Sequence, residues 1–155
     1  MPILQPLGYK VENYSQLTDK IFGAYKYVQK HYGNYEWYLK ADDDTFIFTD
    51  NLKIFLKNKN YSEPITFGHN WNIKVKGGYE SGGAGYVLSS EAMHRLGEVL
   101  NRNISFCTNT GVEDIDTADC LRKLNVKSIR SVDKMNKQLF HPFSLKSESH
   151  EHVGI

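Results

Sequence analysis

Tyr35-Glu36-Trp37-Tyr38-Leu39-Lys40-Ala41 runs straight into Asp42-Asp43-Asp44. The apolar and aromatic run is short and bounded by polar residues, so it reads as a buried strand. The acids then lie at its carboxyl end, where open α/β sheets bind their ligands. Three adjacent carboxylates repel one another unless something positive sits among them. A hard divalent cation with oxygen ligands is the usual solution. In an extended segment Asp42 and Asp44 project together and Asp43 opposes them. That spacing supports one metal-facing pair, or one ligand plus helpers. The competing reading is a solvated acidic turn, with Asp44 as a turn or helix cap.

Upstream, Leu17, Ile21, Ala24, Tyr25, Val28 and Tyr32 recur at helical spacing, so Gln16 to His31 is expected as a helix. Ser15 or Thr18 is its expected cap, and Gly33-Asn34 its stop. The dozen residues before it hold two prolines and a glycine and read as an irregular lead-in. Downstream, Thr45 to Phe48 either extends the strand or begins a turn. Asp50 to Lys57 reads as a short amphipathic helix with an acidic start. Pro64 to Gly68 is a second strand. Gly77, Gly78, Gly82, Gly83 and Gly85 crowd together and demand a loop.

Tyr86 to Ser89 is a strand leaving that loop, and Ser89 caps a helix over Glu91 to Leu100. A loop spans Asn101 to Gly111. Val112 to Leu124 follows as a helix with Glu113, Asp114 and Asp116 at its front, matching the macrodipole. Val126 to Val132 alternates like a strand, and the polar stretch after Pro142 reads as a frayed tail. Helices and strands alternate without a repeat or linker, so residues 1–155 form one domain of the α/β class.

The chain has 155 residues, 19 Lys+Arg and 18 Asp+Glu, for a net charge of +1. That balance gives no bulk electrostatic reason to bind nucleic acid or an acidic membrane. No apolar run approaches the roughly 18 residues of a membrane span. The first residues have neither the basic nor the long apolar region of a signal peptide. Aromatics reach 13%, half of them tyrosine. They suit either a surface that grips hydroxyl-rich ligands or a tyrosine-rich core. Two cysteines, Cys107 and Cys120, occur with three sequons, at Asn13, Asn60 and Asn103. Together they favour a secretory lumen, where disulfides persist.

Several blocks resemble one family. They are Trp37-Tyr38-Leu39-Lys40-Ala41-Asp42-Asp43-Asp44-Thr45, Asp50-Asn51-Leu52, and Gly78-Tyr79-Glu80-Ser81-Gly82-Gly83-Ala84-Gly85-Tyr86-Val87-Leu88-Ser89. Glu113-Asp114 before Cys120 and Phe140-His141-Pro142-Phe143 complete the set. The resemblance is to glycosyltransferase family 31, the inverting β1,3-transferases, and within it to the core 1 galactosyltransferases. It runs from about Tyr9 to Phe143. It implies a GT-A-type, Rossmann-like fold. It also implies transfer of galactose from UDP-galactose to the O-linked GalNAc of glycoproteins in the Golgi.

Relative to that pattern, strands before Gln16, a membrane anchor and a Cys-rich part beyond Phe143 are missing. The expectation is therefore a domain incomplete on its amino-terminal side, with one open sheet edge. Such an edge tends to find a partner. A dimer, or association with a full-length relative, would cover it. The alternative function is a non-catalytic sugar-binding or partner-binding module.

Inversion in one in-line displacement needs charge stabilisation of the leaving diphosphate and a base for the acceptor hydroxyl. By resemblance, Asp44 is the main metal ligand and His141 the second protein ligand. Asp42 and Asp43 contact the ribose or metal-bound water, with Asp42 also a candidate ligand. Imidazole favours Mn²⁺ over Mg²⁺ or Ca²⁺. Taken alone, His141 is an ordinary loop histidine. The resemblance assigns the base to Asp114. A helix N-terminus keeps that carboxylate ionised, and it equally explains why acids stand there at all. Tyr79, Glu80, Ser81, Gly82 and Gly83 are implied near the donor or acceptor. The loop is no phosphate P-loop, since the Gly-Lys-Ser/Thr ending is absent. Trp71 is either a platform for a sugar face or a core residue. A Cys107–Cys120 disulfide is also implied, and it would help fix Asp114.

Overall fold

The computed structural model describes residues 16–72 and 75–143. The lead-in, Ser15, the sequon at Asn13 and the polar stretch after Phe143 lie outside the described residues.

Helix α1 spans Leu17–Tyr32 and buries Thr18, Phe22 and Tyr25, one stripe at three-and-four spacing. No side chain caps its start. Thr18 lies inside the helix, and its hydroxyl donates to Asp116 instead. The cap expected of it is thus corrected: the helix starts before Thr18, which is past the position from which a side-chain oxygen accepts from a first-turn amide. Strand β1 is Trp37–Lys40, helix α2 Thr49–Leu56 and strand β2 Ile65–Gly68. Residues 45–48 extend no strand. The stretch expected to be all loop contains a strand, β4 at Tyr79–Glu80, paired with β3 at Asn70–Trp71.

Strand β5 is Tyr86–Ser89, followed at once by α3, Ser90–Arg102. Ser89 serves both elements. Its Oγ accepts from the Ala92 amide at 3.1 Å, capping α3, and donates to the Glu63 carbonyl at 2.6 Å. A 3₁₀ turn at Ile104–Phe106 interrupts the next loop. Helix α4 is Glu113–Lys123, and β6 is Lys127–Arg130. Val132 falls outside β6 and bridges to Gln138 instead.

The main sheet has the order β1-β5-β2-β6. Strand β5 is antiparallel to both neighbours, and β2 and β6 are parallel. The sheet is therefore mixed. Leu39, Val87, Phe67 and Ile129 stand in one register row, and Lys40, Tyr86, Gly68 and Arg130 in the next. Tyr38, Tyr86 and Leu88 face α1, α3 and α4, packing with Phe22, Tyr25, Met93, Leu96, Leu100 and Leu121. Phe67 and Val87 face the other side, with Leu56, Phe55 and Phe140. Each large apolar side chain buried this way contributes about 1.5–3 kcal/mol. Cys107 and Cys120 form the expected disulfide, with Cα atoms 4.8 Å apart. Among the described residues, no helix is long and apolar enough to cross a membrane.

Candidate active site

The row of Lys40, Tyr86, Gly68 and Arg130 closes one end of the sheet, and the acid triplet leaves from its Lys40 corner. The chain turns there at once. The Thr45 amide donates to the Asp42 carbonyl at 3.2 Å, and the Asp42 amide to Thr45 Oγ1 at 3.1 Å. The extended alternation expected for Asp42, Asp43 and Asp44 therefore does not hold. A threonine hydroxyl three residues on offers the backbone a local partner that a strand would forgo. All three acids are exposed.

The glycine loop lies directly against this turn. Gly85 has φ +70°, and a Cβ there would stand 3.1 Å from the Lys40 carbonyl oxygen. Only glycine combines that torsion with that approach at low cost. Thr45 Oγ1 in turn donates to the Gly83 carbonyl at 3.2 Å. The Phe140–Phe143 segment reaches the same place. Phe140 is buried under the sheet, and its carbonyl lies 3.1 Å from the His69 ring. The Pro142 carbonyl is 3.8 Å from the Cβ position at Gly83. His141, between them, is exposed at this end of the sheet. Trp71 is half-buried, tilted against His69 and set edge-on to Phe143 at 6.0 Å. It packs among aromatics while keeping part of its surface open.

The amino terminus of α4 supplies the fourth side. Asp114 accepts from the Gly82 amide at 3.2 Å, and from the Ile115 amide at 2.9 Å. Tyr79 lies near it, and burial and then the charge of Asp114 push the Tyr79 hydroxyl pKa up. Ser81 is buried, its amide donating to the His69 carbonyl at 2.9 Å. Glu80 turns inward, accepting from Thr66 Oγ1 at 2.7 Å, and is buried. Of the sugar-site residues expected in this loop, Gly83 is exposed, and Gly82 is buried between Lys40 and the start of α4. Glu80 lies in the layer beneath.

One cluster was missed by sequence reasoning. Lys40 Nζ lies 2.6 Å from Asp42 Oδ1 and 3.3 Å from Glu113 Oε2. Tyr86 donates its hydroxyl to Glu113, so its oxygen accepts from Tyr25. Burial pushes the Glu113 carboxyl above its ordinary range, opposed by Lys40 and the Tyr86 hydrogen bond. Burial would lower the Lys40 ammonium, but the charges of Glu113 and Asp42 outweigh it and hold the pKa above the usual value. The available signal was the position of Lys40. It shares a strand face with buried Tyr38, and a charge on such a face needs a partner.

Among the described residues, no three His, Cys, Asp or Glu side chains form a group able to hold a metal. Asp42, expected as a ligand, is drawn to Lys40. Asp43 and Asp44 carry carboxylates and His141 an imidazole, ligand types that Mn²⁺ takes.

A mixed sheet with an acid turn, a glycine loop and a helix-borne carboxylate at one end fits a glycosyltransferase domain. The galactosyltransferase family model matches residues 10–76 of this chain. Over 133 residues the chain is 40% identical to glycoprotein-N-acetylgalactosamine 3-beta-galactosyltransferase 1 of Xenopus laevis, covering 85% of this chain and 37% of that protein. It is 33% identical over 149 residues to human chondroitin sulfate synthase 3, covering 86% of this chain and 15% of that protein. Human UDP-GalNAc:beta-1,3-N-acetylgalactosaminyltransferase 1 is 28% identical over 137 residues, 75% of this chain and 40% of that protein. The chain thus spans well under half the length of each of these relatives.

Proposed function

We propose that this chain is the catalytic part of a metal-dependent, inverting β1,3-galactosyltransferase with a GT-A-type fold. Its donor is UDP-galactose, and its acceptor is the O-linked GalNAc of glycoproteins in the Golgi lumen. The observation that carries this reading is the hydrogen bond from the Gly82 amide to Asp114, which sets a carboxylate on the glycine loop beside the acid turn. The similarity to a glycoprotein-N-acetylgalactosamine 3-beta-galactosyltransferase supports the choice of sugars.

In the reaction, the acceptor hydroxyl oxygen forms a bond to the anomeric carbon. The bond from that carbon to the diphosphate oxygen breaks, and its electron pair leaves with UDP. Asp114 takes the hydroxyl proton. Two amide donors hold this carboxylate in place, so it is aimed without needing to reorganise. The Asp44 carboxylate and the His141 imidazole would hold Mn²⁺, which when bound supplies positive charge for the leaving diphosphate. Asp43 would contact the ribose. Trp71 offers the open part of its ring to a sugar face.

The test is transfer of galactose from UDP-galactose to a GalNAc-peptide, with UDP binding measured alongside. Asp114→Asn is expected to keep UDP binding and abolish transfer. Asp44→Ala is expected to abolish the dependence of UDP binding on Mn²⁺. Turnover by Asp114→Asn would remove the base assignment. UDP binding without transfer by the wild-type chain would favour a non-catalytic sugar-binding module.

A further inference from the structure

We propose that Lys40 is a positioning residue: its ammonium holds Asp42 and Glu113 at once, yoking the acid turn to the amino terminus of α4. The separation between the donor-side acids and Asp114 is thereby fixed. The proposal deepens the transferase reading and rests on it.

Three links meet at one point. Lys40 Nζ is 2.6 Å from Asp42 Oδ1, and 3.3 Å from Glu113 Oε2. Gly82 covers the pair, because a Cβ there would stand 3.2 Å from Nζ and 3.3 Å from Glu113 Oε2. The Gly82 amide is the donor to Asp114. The glycine loop therefore presses on the ion pair with its missing side chain and holds the adjacent carboxylate with its backbone.

Burial alone does not require this arrangement. The Lys40 and Glu113 side chains are 10% and 8% exposed, so each needs the other. The Asp42 side chain is 43% exposed, and water would satisfy it. An ion pair to so open a carboxylate adds little stability. Its effect is one of geometry. With Lys40 on one side and Thr45 on the other, the turn is held to β1 and, through Gly83, to the glycine loop. A positive charge between Asp42 and Glu113 also offsets the repulsion between two acidic segments brought this close.

The full chain serves for the test, with three variants. Asp42→Asn weakens only the link to the turn and leaves the buried pair intact. Lys40→Met/Glu113→Gln removes both charges of that pair together, so no buried charge is stranded. Lys40→Arg keeps the positive charge. Amide hydrogen exchange is read at Thr45 and Gly82, whose amides are hydrogen-bonded in the yoke, and at Leu88 in the sheet interior. UDP affinity with Mn²⁺ is read by calorimetry.

Asp42→Asn and the double variant are expected to speed exchange at Thr45 by about tenfold while Leu88 keeps its protection. The double variant is also expected to lose about tenfold in UDP affinity, and Lys40→Arg to retain most of it. Wild-type exchange at Thr45 in both variants would overturn the proposal and leave Lys40 as a charge partner of Glu113 alone. Failure of the wild-type chain to bind UDP would sink the donor reading instead, and the exchange measurement would still decide the yoke. If the double variant does not fold, Asp42→Asn decides it.

Discussion

Thr18 donates its hydroxyl to Asp116 Oδ2 at 2.6 Å, across 98 positions of sequence. The same carboxylate accepts from the Thr110 amide and hydroxyl, each at 2.8 Å, and from the Gly111 amide at 3.2 Å. A buried acid thus ties α1 to the loop that delivers Glu113 and Asp114. Asp116→Ala strands several donors and is expected to cost roughly 3 kcal/mol or more. Thr18→Val removes one donor of similar shape and is expected to cost about 1–2 kcal/mol. Urea denaturation of the two variants measures both. Equal and negligible losses would show that the network is not stabilising.

Tyr86→Phe removes a hydrogen bond to the buried Glu113 carboxylate and is expected to cost about 1–3 kcal/mol at neutral pH. The pH dependence follows from the sign. Burial already raises the folded-state pKa of Glu113, and losing Tyr86 raises it further. The folded protein then binds the proton more tightly than the unfolded chain, so the penalty grows as pH rises. The deficit of Tyr86→Phe is therefore expected to shrink as pH falls towards the ordinary glutamate range. Denaturation series at several pH values test this, and a deficit independent of pH would contradict it.

Gly85→Ala places a Cβ 3.1 Å from the Lys40 carbonyl at a φ of +70°. The left-handed torsion alone costs about 1–2 kcal/mol. The loop must also withdraw from the end of β1. A lowered melting temperature with faster exchange at the Gly85 amide is expected, because that amide donates to the Gly82 carbonyl at 2.9 Å. Gly83→Ala, where the nearest atom is 3.8 Å away, is expected to be nearly neutral and serves as the control.

Asp119 accepts from Lys123 at 2.8 Å and from Thr108 Oγ1 at 2.7 Å. The Lys123 and Thr108 hydrogen bonds hold its carboxyl below the ordinary value of 3.8. A depressed folded-state pKa contributes stability that is present above the unfolded value and lost as pH falls through the folded one. Asp119→Asn is therefore expected to be less stable than wild type at pH 7, by up to ~1 kcal/mol, since the pair is partly screened. The two proteins should converge well below pH 3.8. Acid titrations of both, followed by circular dichroism, give the comparison. A constant gap across that range would mean that charge has no part in it.

Local pattern alone determined most of the architecture. The stripe from Leu17 to Tyr32, the apolar run ending at Lys40 and the cap at Ser89 are each set by neighbours in sequence. The observed elements follow them to within a few residues. The candidate site was legible where its residues are adjacent: the acid triplet, Glu113-Asp114 and the stretch around His141. Tertiary structure alone decided what those residues touch. Lys40 reaches Asp42 across the turn that ends β1, and Glu113 a long way along the chain. Thr18 turned from cap to core donor for the same reason. Periodicity reports which face of an element is buried. The partner of a buried charge is set by which elements the fold brings within a few ångströms, where desolvation makes the pairing compulsory.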